Sequence, residues 1–191
     1  MAADRKKWIL EAASKSFALF GYKATTMEQV AKIAGVGKGT IYTFFSTKEE
    51  LFDAIMTDVI QEMKRIADKV IQEELTFIKK LERVLEEFYR FRSNHELLIR
   101  LSHEISEMGT AKAQEGMKSL EGAILGFLEK NVRTAMEQGE IRSCDPQVAA
   151  FVILKMYVSF VYDWDRTHGP LTKDQISEFF HVYLFEGLAV R

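Results

Sequence analysis

Apolar side chains recur along this chain every three to four residues, and no stretch sustains the period of two that a half-buried strand would show. The helical pattern starts at once. Ile9, Ala12, Ala13, Phe17 and Phe20 share one face of a helix predicted over about 4–20, and Gly21 follows as its C-terminal stop. A second helix opens at Thr26, where Thr26-Met27-Glu28-Gln29 is a capping box, and it stops at Gly35. A short third helix covers about 38–44. Thr47 and Glu50 form another capping box at the head of the fourth. Longer amphipathic helices are predicted at about 48–74, 76–92, 95–108, 112–138, 146–167 and 173–189. Asp145 and Pro146 suit an N-cap and a first helical position, His168-Gly169-Pro170 is a stop, and Thr172 with Gln175 caps the last helix. No Asn-Gly or Asp-Gly hairpin signal and no long linker interrupts the series. The prediction is an all-α protein, with a three-helix head over 1–48 and a helical-bundle body over 49–191.

The second and third helices carry the sharpest pattern. Two short helices joined by a tight glycine-containing turn form a helix-turn-helix, which offers its second helix to the DNA major groove. Val30, Ile33 and Ala34 are the expected inward face of the first of these helices. Ala31 is small enough for close approach, and Gly35 takes the turn. Ile41 and Phe45 point the second helix back at the core, which leaves Lys38, Gly39, Thr40, Tyr42 and Thr43 outward. A cation, a bare glycine, hydroxyls and an aromatic with a polar tip suit contact with DNA. Thr26 and Lys48 flank that surface at two helix N-termini, where backbone N–H groups favour phosphate. Arg5, Lys6 and Lys7 form a basic segment able to track a phosphate backbone or reach a minor groove.

Charge first argues against this reading and then for it. The 191 residues carry 26 Lys and Arg against 28 Asp and Glu, a net of −2. Residues 1–48, however, hold eight basic and three acidic side chains, a net of +5, and residues 49–191 hold 18 and 25, a net of −7. Opposite signs in two halves point to a polyanion partner for the basic one.

Gly21-Tyr22, Thr25-Thr26, Val30-Ala31, Ala34-Gly35-Val36, Gly39-Thr40-Ile41-Tyr42, Phe45 and Lys48-Glu49-Glu50-Leu51-Phe52 together resemble the N-terminal signature of TetR-family transcriptional regulators. The resemblance covers about 9–52. It implies an all-helical homodimer with a DNA-binding head and a ligand-binding, dimerising body, usually a repressor released from its operator by a small molecule. It further implies DNA contacts at Thr26, Lys38, Gly39, Thr40, Tyr42 and Lys48, mainly to phosphates, with Thr40 and Thr43 closest to bases. Phe44 departs from the family, which often places a histidine or tyrosine there.

In the body, residues 148–162 are apolar except for Lys155 and Ser159. That run is too short for a membrane span, which needs about 20 residues. A helix apolar all round must be buried on every side. Its own core can cover one side and a second copy of the chain the other, so a homodimer through the last two helices is expected. Phe127 and Phe160 are candidate lining for a largely apolar effector. Lys155, with Arg100, His103 and Arg92 as weaker alternatives, could meet a polar head group, while structural pairing or solvent access would equally satisfy Lys155.

Other chemistry finds little support. Val36-Gly37-Lys38-Gly39 lacks the preceding strand and spacing of a phosphate loop. Asp163, Asp165 and His168 suit a solvated helix end better than a metal site. Four scattered histidines and no serine elbow leave no catalytic constellation. A single cysteine, Cys144, and no visible leader fit a cytoplasmic protein without cofactor. The expected function is thus a dimeric regulator of double-stranded operator DNA. The alternative is a helical carrier or enzyme whose head is only scaffold.

Overall fold

The computed structural model describes residues 2–93 and 96–186, and every element among them is a helix. They are α1 (Ala2–Ala24), α2 (Met27–Ile33), α3 (Lys38–Phe44), α4 (Lys48–Ile71), α5 (Phe77–Ser93), α6 (Glu96–Met108), α7 (Ala111–Glu137), α8 (Pro146–Val158), α9 (Asp165–His168) and α10 (Lys173–Phe180). The all-α prediction holds. Capping boxes at Thr26 and Thr172 form as read, and Asp145 Oδ1 accepts from the N–H groups of Gln147 and Val148. The C-terminal part of the last predicted helix, including Leu188, lies outside the described residues.

The helical run of α1 breaks at Gly21, whose φ of 81° and ψ of 170° are open to a residue without a Cβ. This break overturns one expectation. Phe20 is 47% exposed, because the chain turns at Gly21 and Tyr22 packs beside Phe17 instead, ring centroids 5.7 Å apart. Ile33, expected to face inward, is 49% exposed; the buried face of α2 is Met27, Val30 and Ala31, and Ile33 falls off it. Arg5, Lys6 and Lys7 belong to the first turns of α1, within the helix that the sequence predicts there.

The chain forms two compact units. One comprises α1–α3, α4 as far as Glu62, α6, and α7 as far as Leu120. The unit that holds the head therefore extends well beyond residue 48. Its interior holds Ile9, Phe17, Val30, Ile41, Leu51, Phe52 and Leu101, with α6 packed along α1. At Gly116 the first turns of α7 come so close to α4 that a Cβ would lie 2.8 Å from the Phe52 ring. Lys112, one turn earlier, reaches Asp53 of α4 at 2.6 Å.

The second unit comprises α4 from Met63, α5, α7 from Glu121, and α8–α10. Val132, Ile153, Phe180 and Phe185 are its largest fully buried side chains. Beyond α8 the helix widens into a π turn over Ser159–Asp163, closed by Trp164 N–H donating to Ser159 O at 2.8 Å. Ala149, Ala150, Ile153, Leu154 and Tyr157 face the interior of this unit, whereas Val148, Phe151 and Val152 are exposed. Among the described residues, one side of this apolar helix is left exposed.

Candidate nucleic-acid interface

The α2–α3 pair has the geometry that its sequence requires. Thr26 Oγ1 accepts from Gln29 N–H at 3.3 Å, and Gln29 Oε1 accepts from Thr26 N–H at 2.9 Å. Gly35, at φ 67°, turns the chain, and Val36 N–H donates back to Ala31 O at 3.0 Å. Ile41 and Phe45 are buried and pin α3 by one side. Its other side carries Lys38, Gly39, Tyr42 and Thr43, all exposed, with Thr40 and Phe44 half-buried.

That outward surface is organised. Lys38 Nζ lies 2.9 Å from Glu28 Oε1, and this hydrogen bond raises the ammonium's pKa and lowers the carboxyl's. Thr43 Oγ1 donates to Thr40 O at 2.7 Å. Gly39 stands in open space, since a Cβ there would meet no atom within 4 Å. A helical glycine costs up to about 1 kcal/mol against alanine, and no neighbour among the described residues requires a bare Cα at this position.

Behind the reading helix, Tyr22 is a junction. Its ring meets Phe17 and Phe52, with Phe52 edge-on at 4.9 Å. Its hydroxyl donates to Glu49 Oε1 at 2.7 Å; burial first, then that carboxylate, push the phenol pKa up, and the same bond lowers that of Glu49. Lys48 Nζ sits over the Tyr22 ring at 4.4 Å and donates to Tyr22 O at 3.0 Å and Thr25 O at 3.1 Å. Lys48 therefore ties the first turn of α4 to the segment that feeds α2. Sequence reasoning missed Glu104, whose carboxylate accepts from the N–H groups of Tyr22 and Lys23. The signal was available: it is an acid on the same stripe of α6 as Leu97 and Leu101.

The effector candidates fall in both compact units. Arg100 and His103 lie on α6 in the first unit; Arg100 is half-buried, its Nε buried without a hydrogen-bond partner, and His103 is exposed. The Arg92 side chain lies outside the described residues. In the second unit, Phe127 is half-buried on α7, and Phe160 packs on Phe179 and Phe180 at 5.4 and 6.2 Å. Lys155 is exposed, paired with Glu121 at 2.6 Å and lying 5.4 Å from the Phe151 ring. At the end of α9, His168 stacks on Trp164 at 4.1 Å, and its Nδ1 lies 2.7 Å from Thr167 Oγ1. No helix among the described residues is long and apolar enough to cross a membrane.

A tight helix-turn-helix that turns a cation, a bare glycine, hydroxyls and a tyrosine to solvent defines a DNA-binding transcriptional regulator. The chain belongs to the tetR family of bacterial regulatory proteins, whose model matches residues 9–55, while that of the tetracyclin repressor-like C-terminal domain matches residues 74–188. Over 189 residues it is 46% identical to the uncharacterized HTH-type transcriptional regulator YhgD of Bacillus subtilis (strain 168), spanning 99% of both chains. It is 27% identical over 168 residues to the fatty acid metabolism regulator protein of the same organism, spanning 86% of each. Among solved structures it resembles AibR in complex with isovaleryl coenzyme A and operator DNA, with a TM-score of 0.70 and 26% identity over 95% of this chain and 98% of that one.

Proposed function

We propose that the protein is a cytoplasmic repressor that binds a pseudo-palindromic operator as a homodimer and leaves it when an acyl-coenzyme A thioester binds. The observation that carries the DNA part is Gly39, exposed on α3 with open space around its Cα and flanked by Lys38, Tyr42 and Thr43. A missing side chain that no described neighbour requires suits the close approach of a phosphodiester backbone to a helix N-terminus. Lys38, Thr26 and Lys48 then contact phosphates, and Thr40 and Thr43 lie nearest the bases. Lys48 does so from its anchored position beside Tyr22.

The dimer reading is supported by the bare apolar side of α8 and its neighbours. Phe151 is 50% exposed and Tyr183, beyond α10, 70%. A second copy related by a two-fold axis covers the same residues on both chains and sets the spacing of the two heads. The thioester is suggested by what the AibR structure holds and by the name of the fatty acid metabolism relative. No catalytic step belongs to this reading.

The test is a competition on operator-bound protein, with isovaleryl and long-chain acyl-coenzyme A against free coenzyme A. Release by a thioester and not by free coenzyme A is expected. If no chain length shifts operator affinity, the effector class is wrong while the DNA reading stands.

A further inference from the structure

Glu104 is 2% exposed, and among the described residues no other charged side chain is buried. A carboxylate taken out of water is costly unless hydrogen bonds replace its hydration. Here the replacements are backbone groups: Tyr22 N–H donates to Oε2 at 2.6 Å and Lys23 N–H to Oε1 at 3.2 Å. Both donors lie just past the break at Gly21. The fit is tight there, since a Cβ on Gly21 would fall 2.3 Å from Glu104 Oε2.

The same short segment is held from the other end by Lys48, which donates to Tyr22 O at 3.0 Å and Thr25 O at 3.1 Å. The carbonyl of Tyr22 and the N–H of Lys23 belong to one planar peptide group. A carboxylate grips its N–H end and an ammonium its C=O end, so each hydrogen bond polarises the group that makes the other. Thr25, buried, closes the segment by donating from Oγ1 to Gly21 O at 2.8 Å, and Thr26 then caps α2.

We propose that Glu104 is a positioning residue for DNA binding: through the Tyr22–Lys23 peptide it fixes Lys48 at the N-terminus of α4 and the turn that leads into α2. This role rests on the reading of Lys48 as a DNA contact. Glu104 itself touches no DNA; it holds the groups that do.

The experiment uses the full chain and its operator duplex, well below the melting temperature of each variant. Glu104→Gln keeps the shape but turns an NH2 group toward a backbone donor, and operator affinity should fall on the order of tenfold. Lys48→Met should weaken binding too, and the double variant should bind about as well as the weaker single one. Glu104→Gln combined with Lys38→Ala, whose lysine lies off this path, should instead show the product of the two losses. A purely structural role would give products in both pairs and would overturn the proposal, as would wild-type affinity in Glu104→Gln. Failure of the wild type to bind any duplex would overturn the DNA reading instead. Should Glu104→Gln not fold, amide exchange on the wild type decides. Tyr22 and Lys23 N–H groups that are protected and slow further on adding operator support the role; unprotected amides, or no change with operator, contradict it.

Discussion

Helices α3 and α8 each leave one side uncovered within a single chain, and the two bare sides have opposite chemistry. On α3 it is Lys38, Gly39, Tyr42 and Thr43; on α8 it is Val148, Phe151 and Val152, with Lys155 paired to Glu121 among them. A polar, cationic surface with a glycine gap costs little to leave in water and suits a polyanion. An apolar one favours coverage by another apolar surface. The two bare sides underlie the two partners proposed above, DNA for α3 and a second copy of the chain for α8.

The comparison can be broken first at α8. Phe151→Glu puts a charge into the proposed interface and should give a monomer by light scattering. Operator affinity should drop by about 100-fold or more, since the two heads lose their linked binding. A variant that stays dimeric would remove α8 from the interface. At α3, Gly39→Ala should separate stability from function. Alanine improves the helix by up to about 1 kcal/mol and meets no neighbour, so the melting temperature should hold or rise. Operator binding should nevertheless weaken several-fold, and unimpaired binding would leave Gly39 without a DNA role.

Smaller effects sharpen the same contrast. Lys38→Ala should weaken operator and random DNA alike and flatten the salt slope by about one unit, whereas Thr43→Val should change sequence preference. Equal losses on both DNAs from both variants would contradict that division of labour. Lys155→Met should change stability by less than about 1 kcal/mol, as expected of an exposed ion pair. It should leave the effector response as it was; a lost response would return Lys155 to the ligand site.

Much of the head was legible because local rules governed it. Thr26, Gly35 and Ile41 sit where capping, turn geometry and helical spacing require, and the outward set on α3 follows from them. Phe20 and Ile33 were misplaced because helical spacing alone ignores a backbone break at Gly21 and the precise centre of a buried stripe. The two charges that interrupt apolar stripes show the same limit. Lys155 takes two of the alternatives left open for it, an ion pair and solvent access, while Glu104 drew no notice and is buried. Which side of a helix meets a neighbour is set by tertiary packing, and periodicity gives only the existence of a side. The effector candidates Arg100, His103, Phe127, Lys155 and Phe160 were chosen by residue type, because no local rule of capping, turn or spacing marks a ligand contact.

The most direct measurement is the affinity of the protein for labelled duplex DNA flanking its own gene, taken at about 50 and 200 mM salt. With the basic groups of two heads on the phosphates, affinity should fall on the order of a thousandfold across that range, and two chains should bind each operator. No duplex binding at the lower salt, or an affinity indifferent to salt, would contradict the assignment of the α3 surface to DNA.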